Sequence, residues 1–166
     1  MIVGIDPGLS GAIAAITNNG TVAVCCLAPV IQIKDKKKVK HEIDIGGFVK
    51  VLQGIKDIDA IEHVYLEKVS AMPGQGVTSM FNFGMSYGIV KGILGTLGLS
   101  YTLVHPKTWQ KEVLKDMPPG SAEAVAVRMF PNTNFLPTAR CTKRHDGLID
   151  AVLIAEYGRR VQLGEK

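Results

Sequence analysis

The sequence opens with IVGIDPGLSGAIAAITNNGTVAVCC, residues 2–26, and this stretch decides the fold class. It contains three short apolar runs of strand length, at residues 2–6, 12–17 and 21–26. Pro-Gly separates the first two runs and Asn-Asn-Gly the last two, and Asn and Gly tolerate the positive φ of tight hairpin turns. We therefore predict three antiparallel strands joined as a meander.

The rest of the chain alternates between helical and strand-like segments. Phe48, Val51, Leu52 and Ile55 recur at helical spacing within a predicted helix at 44–56. The next apolar run, 63–67, follows a connection long enough to make it parallel to the first strand. Further on we predict a strand at 101–104, an irregular loop at 131–143 and helices at 77–97, 106–115, 121–130 and 144–161. The order indicates an α/β fold with a five-stranded mixed sheet flanked by helices.

Length and composition narrow the class of protein. The 166 residues correspond to one compact domain, 1–166. Lys and Arg number 19 against 15 Asp and Glu, a formal charge of +4 that is compatible with a polyanionic partner. The three cysteines, Cys25, Cys26 and Cys141, form no metal-binding or disulfide pattern. With no signal peptide and no apolar run of membrane-spanning length, we expect a soluble cytoplasmic protein without membrane contact.

Four acidic residues stand where a carboxylate needs a partner. Asp6 and Glu67 each end an apolar strand, and an unpaired carboxylate there is costly. Asp146 and Asp150 share one face of the last helix, and Asp150 lies among apolar neighbours. Each also has an ordinary interpretation: Asp-Pro-Gly makes a good turn, a strand-end Glu is often solvated, and an acid in a first helical turn complements the helix dipole.

Taken together, the four acids indicate a metal site. The carboxyl ends of adjacent parallel strands meet at one edge, where open α/β sheets place their functional residues. Carboxylate oxygens without Cys or paired His favour Mg²⁺ or Mn²⁺. Such clusters can hold two ions about 3.5–4 Å apart, as phosphodiester hydrolysis requires.

Five segments then carry a resemblance to a known family. They are Gly4-Ile5-Asp6-Pro7-Gly8, Leu66-Glu67-Lys68-Val69, residues 75–84 with Gly88 beyond them, residues 106–111, and the run from His145 through Asp146 and Asp150 to Ala151. In order and spacing they resemble the RuvC-type Holliday-junction resolvases of the ribonuclease H-like superfamily, most closely the short phage-borne branch.

The resemblance implies a homodimeric endonuclease of DNA recombination and repair that nicks two opposed strands of a four-way DNA junction. It implies two Mg²⁺ or Mn²⁺ ions held by Asp6, Glu67, Asp146 and Asp150, no small-molecule cofactor, and a place in the cytoplasm of a bacterial or phage-infected cell. Many members space the last two ligands i, i+3, which falls on Gly147 here. We therefore take Asp146 as the fourth ligand, with His145 as a further candidate catalytic residue.

Another departure concerns the aromatic wedge that bacterial members place three residues after the catalytic Glu. Ser70 occupies that position here, so Met72, Phe81 and Phe83 are the candidates to replace it. Both phenylalanines also have an ordinary interpretation as core residues.

A glycine stripe and two basic clusters predict the remaining surfaces. Gly84, Gly88 and Gly92 recur every four residues in the helix at 77–97, giving a flat face that we expect to contact a second subunit. The alternative is a wholly internal helix. We expect DNA to bind two clusters, Lys107, Lys111 and Lys115 in one and Arg140, Lys143 and Arg144 in the other, whereas the lysines at 34–40 are interpreted as a solvated loop.

Three other functions use similar residues. A YqgF-type or ribonuclease H-type enzyme would share the metal acids and act on RNA or hybrid. An actin-like or sugar-kinase phosphate loop resembles Gly-Ile-Asp-Pro-Gly but requires a second lobe, for which 166 residues leave no room. A catalytically silent junction-binding module would bind without nicking.

Overall fold

The computed structural model describes residues 1–35, 38–70, 74, 76–115, 117–118 and 120–165. Its strands are β1 (Ile2–Asp6), β2 (Ala12–Ile16), β3 (Val22–Leu27), β4 (Val30–Asp35), β5 (Lys38–Ile43), β6 (His63–Glu67) and β7 (Tyr101–Val104). Its helices are α1 (Ile45–Ile58), α2 (Val77–Thr96), α3 (Pro106–Val113), α4 (Ala122–Met129) and α5 (Asp146–Leu163).

The main sheet has the strand order β3-β2-β1-β6-β7. β1, β2 and β3 pair antiparallel, and Gly20 adopts a φ of 85° in the turn between the last two. β6 pairs parallel to β1, and β7 pairs parallel to β6. These pairings confirm the predicted five-stranded mixed sheet. Strands joined by short turns are antiparallel because the chain reverses at each turn, and strands joined through a helix are parallel because the helix carries the chain back to its starting end.

Successive side chains of each strand point to opposite faces of the sheet and pack into two apolar cores, one on each face. Residues such as Ile2, Ala14 and Tyr65 pack against α3, α4 and α5. Residues such as Val3 and Ile5 pack on the other face against α1 and α2. Within the described residues, no helix combines the length and the apolar character needed to cross a membrane.

Helix α5 lies directly on β1 because glycines remove the side chains between them. A Cβ on Gly4 would come within 2.3 Å of the Ala151 carbonyl oxygen, and one on Gly158 within 2.3 Å of the Tyr65 ring. This close crossing brings the first turns of α5 to the carboxyl end of β1. It therefore determines where the acids of α5 lie.

The lysine-rich segment is not a loop, and that interpretation was wrong. Residues Val30–Asp35 and Lys38–Ile43 form a two-stranded antiparallel sheet, with Val30 opposite Ile43 at its base. Ile31, Ile33 and Val39 are among the exposed large apolar residues of the protein. Because neither face of most of this hairpin is buried, its sequence lacks a clear alternation of apolar and polar residues.

Candidate metal-binding active site

Asp6 ends β1 at the centre of the sheet, and the turn that follows holds its carboxylate. Its Oδ1 accepts a hydrogen bond from the backbone N–H of Gly8 at 3.2 Å. Burial raises the pKa of Asp6, while the Gly8 hydrogen bond and the nearby His145 act to lower it.

Glu67 ends β6, the neighbouring parallel strand. Ile5 pairs with Leu66, so the next residues on the two strands, Asp6 and Glu67, lie side by side at the same edge of the sheet. The indole Nε1 of the fully buried Trp109 donates a hydrogen bond to Glu67 Oε1 at 2.8 Å. Burial raises the pKa of Glu67, the Trp109 hydrogen bond lowers it, and the charge of Asp6 raises it further. Sequence reasoning missed Trp109, because this contact spans 42 residues.

Asp150 connects the acids of the helix to those of the strands. Burial, followed by the charges of Asp6, Glu67 and Asp146, raises the pKa of Asp150 to about 7. The four predicted ligands therefore lie close enough to act electrostatically on one group. That the four acids together bind a metal stays a prediction.

Gly147 explains why the fourth acid stands at 146. A Cβ on Gly147 would lie 2.4 Å from the Ser10 carbonyl oxygen and 3.3 Å from Asp6 Oδ2. No side chain fits at that position without displacing the turn after β1. A carboxylate spaced i, i+3 from Asp150 is excluded here, whereas the exposed Asp146 precedes the tight contact.

His145 caps the beginning of α5. Its ring Nδ1 accepts a hydrogen bond from the backbone N–H of Gly147 at 3.2 Å, and the backbone N–H of His145 donates to the Phe135 carbonyl oxygen at 2.8 Å. These bonds hold the helix N-terminus beside Asp6. One ring nitrogen is thus engaged in capping, which gives His145 a positioning role whether or not it takes part in catalysis.

An open cleft of about 650 Å³ contains three of the acids and all of one basic cluster. Its lining includes Asp6, Asp146, Asp150, His145, Arg140, Lys143 and Arg144. Arg144 forms an ion pair of 2.8 Å with Glu123. Glu67 is not part of this lining; it adjoins the cleft through the neighbouring strand.

The carboxylate oxygens of the four acids are chemically suited to a divalent ion, although the acids are not grouped tightly enough to surround one. Among the described residues, no three His, Cys, Asp or Glu side chains are grouped closely enough to hold an ion. The carboxylates nevertheless share one edge, and their mutual repulsion contributes to the raised pKa of Asp150. Hard cations such as Mg²⁺ and Mn²⁺ prefer such oxygens and would offset that repulsion.

Comparison with solved structures shows which known fold the chain resembles. A structure described as T. thermophilus RuvC in complex with Holliday junction substrate matches with a TM-score of 0.60 and 14% identity, covering 99% of this chain and 96% of that chain. The fold is RuvC-like. A second Thermus thermophilus RuvC structure matches with a TM-score of 0.59 and the same identity and coverage. No protein-family model matches the sequence, and no curated protein does.

The predicted DNA-binding residues separate into two surfaces on this RuvC-like fold. Arg140, Lys143 and Arg144 line the acidic cleft. Lys107 and Lys111 instead line a separate cavity of about 500 Å³ with Tyr157, and Lys115 lines a neighbouring cavity with Lys111. The lysine stripe therefore does not share a cleft with the acids.

Helix α2 exposes its glycine face in the single chain. Gly84, Gly88 and Gly92 are exposed, and a Cβ on any of them would meet nothing within 4 Å. Ser86, Val90, Ile93 and Leu94 are buried on the opposite side. The alternative of a wholly internal helix is therefore wrong.

The wedge candidates differ in exposure. Phe81 is 69% exposed, so its interpretation as a core residue was wrong. Phe83 is half-buried and lines a second cavity of about 380 Å³ that shares Ser10 with the acidic cleft. Ser70 is exposed, and Met72 lies outside the described residues.

Proposed function

We propose that this protein is a divalent-metal-dependent endodeoxyribonuclease that resolves four-way DNA junctions by paired nicks. The observation that carries the proposal is the cleft lined by Asp6, Asp146 and Asp150, which lies beside the parallel strand that ends at Glu67. It is supported by the RuvC-like fold, because one matching structure is of a RuvC bound to a Holliday junction substrate.

In this mechanism two Mg²⁺ or Mn²⁺ ions would be held by Asp6, Glu67, Asp146 and Asp150. When bound, the ions supply an activated water and stabilise the charge that develops on the scissile phosphate. No protein nucleophile is required.

The chain's other residues position the phosphate and the acids. The N-terminus of α5 presents its positive dipole end to the cleft, which favours an anion there. Arg140, Lys143 and Arg144 offset the repulsion between the phosphate and the carboxylates. Trp109 fixes the orientation of Glu67 through its hydrogen bond.

Paired nicks on opposed strands require two active sites, and we propose that a second copy of the chain packs on the exposed glycine face of α2. Glycines permit close helix contact, and the neighbouring apolar side chains, 82% exposed at Val77 and 69% at Phe81, lose water on association. Sedimentation should show a dimer at micromolar concentration; a monomer at that concentration would contradict the second-copy proposal.

The test of function is a cleavage panel with Mg²⁺: an immobile four-way DNA junction, a linear duplex of the same arms, and an RNA–DNA hybrid. Wild type should nick the junction alone, and Asp6→Asn should nick nothing. Equal cleavage of junction and duplex would indicate a less selective nuclease of the same fold. Cleavage of the hybrid alone would favour a YqgF-type or ribonuclease H-type activity, and binding without nicking would indicate a silent junction-binding module.

A further inference from the structure

The β4–β5 hairpin forms its own two-stranded sheet, separate from the five-stranded one. Its six-residue strands extend roughly 20 Å at the usual rise per residue. Apart from the base, nearly all of its described side chains are exposed. Such a projecting ribbon adds little to the core, so its length requires another explanation.

The hairpin leaves the sheet at the edge that carries the acids. Asp6 pairs with Ala12, and Ala12 pairs with Leu27, the last residue of β3. Neighbouring strands are about 4.8 Å apart, so Leu27 lies roughly 10 Å from Asp6 along this row. The next residue, Ala28, donates a backbone hydrogen bond to the Gly11 carbonyl oxygen at 2.9 Å, within the turn that follows Asp6.

The base of the hairpin is anchored firmly. Asp44 donates its backbone N–H to the Pro29 carbonyl oxygen at 2.9 Å, which closes the ribbon. The Asp44 side chain then caps α1 by accepting from the Gly47 N–H at 3.0 Å. Ala28 and Ile43 are 4% and 3% exposed and belong to the core beneath α1 and α2. The ribbon therefore projects from a base held by hydrogen bonds and core packing.

The charge of the hairpin is strongly positive. Residues 34–42 contain five lysines and one histidine against two acids. Of the described side chains, Lys34, Lys40 and His41 are exposed, with Lys34 and His41 on one face of the ribbon and Lys40 on the other. Pairing of this surface with a second copy would bring like charges together, whereas a phosphate backbone complements them.

We propose that the β4–β5 hairpin binds the phosphate backbone of a duplex arm beside the scissile site. This inference rests on the proposed DNA-cleaving function for what the acid edge does, and it adds a surface on the β3 side of the acids. A ribbon of roughly 20 Å matches about six base pairs, so it can follow an arm away from the crossover. The exposed lysines also keep the strand edges from pairing with other chains.

The test compares two double variants of equal charge change. Lys34→Gln with Lys40→Gln removes two of the five lysines of the hairpin, and Lys50→Gln with Lys56→Gln removes two exposed charges on α1 as the control. Junction binding is measured with Ca²⁺ replacing Mg²⁺, from 50 to 300 mM NaCl. For the hairpin variant, the logarithm of the association constant should fall less steeply with log salt, and the slope should be smaller in magnitude by about 0.9 for each lost phosphate contact. Its Kd should rise about tenfold at 150 mM NaCl. The control should match wild type.

The outcomes separate this surface from the active-site proposal. A salt slope equal to that of the control would overturn the hairpin proposal, even where wild type nicks junctions normally. A reduced slope in a protein that nicks nothing would support the hairpin surface and contradict the proposed nuclease. A change in the sedimentation of the hairpin variant, with an unchanged slope, would assign the ribbon to subunit contact instead.

Discussion

Removing the charge of Asp150 should stabilise the protein while abolishing its activity. Burial and three neighbouring acids raise the pKa of this carboxyl from 3.8 to about 7. The difference corresponds to roughly 4 kcal/mol of unfavourable free energy when the group is ionised, an upper value because it is not completely shielded from water. Asp150→Asn keeps the shape and removes the charge, so it should raise the free energy of unfolding by about 2–4 kcal/mol at pH 8.5.

The sign of the pH dependence follows from the raised pKa. The native state holds the Asp150 proton more tightly than the unfolded chain does, so this group's stabilising contribution is complete below pH 4. It is lost as the pH rises through about 7. The benefit of Asp150→Asn should therefore be less than half as large at pH 5 as at pH 8.5.

Urea unfolding at pH 5.0 and 8.5, followed by circular dichroism, measures this difference. Asp57→Asn on α1, an exposed acid outside the cleft, is the matched control for the substitution itself. Mg²⁺ should stabilise wild type at pH 8.5 more than Asp150→Asn. An equal effect of Asp150→Asn at both pH values would refute the electrostatic coupling of the acids.

The other predictions concern residues that position the acids or lie on the proposed dimer interface. Trp109→Phe fills most of the same space without the donor to Glu67, and should lower nicking about tenfold and raise the Mg²⁺ concentration for half-maximal rate, with unchanged far-ultraviolet circular dichroism. Gly147→Ala places a methyl 2.4 Å from the Ser10 carbonyl oxygen and should cost about 1–3 kcal/mol in urea unfolding; unchanged stability would contradict the tight contact. Gly88→Leu should shift sedimentation from dimer to monomer without destabilising the single chain, whose stability should rise by up to about 1 kcal/mol because Leu is the better helix former. Persistence of the dimer would exclude this face of α2.

Local patterns in the sequence predict most of the sheet. The Asn-Asn-Gly turn that ends in Gly20 and the apolar runs before Asp6 and Glu67 are patterns within a few residues. Because the sheet is buried on both faces, its strands are continuous apolar runs that are easy to recognise. The hairpin escaped prediction for the opposite reason, because Ile31, Ile33 and Val39 are exposed and leave no face to detect.

The candidate site likewise contains residues that the local sequence predicts and residues that it does not. Its acids mark strand ends and one helix face, so their positions can be read locally. Its supports are contacts between distant segments: Trp109 with Glu67, and Gly147 against Ser10. The separation of Lys107 from the acidic cleft likewise depends on how α3 lies against α5, which no local pattern contains.

The most direct measurement is the single-turnover nicking rate of a four-way junction by wild type and by the four single amide variants of the acids, with junction binding measured in parallel. The variants are Asp6→Asn, Glu67→Gln, Asp146→Asn and Asp150→Asn. Each should bind the junction at least as tightly as wild type and nick it about a thousandfold more slowly or not at all, because each removes one oxygen ligand and one charge from a shared metal site. A folded variant that nicks at nearly the wild-type rate would contradict the four-acid metal site.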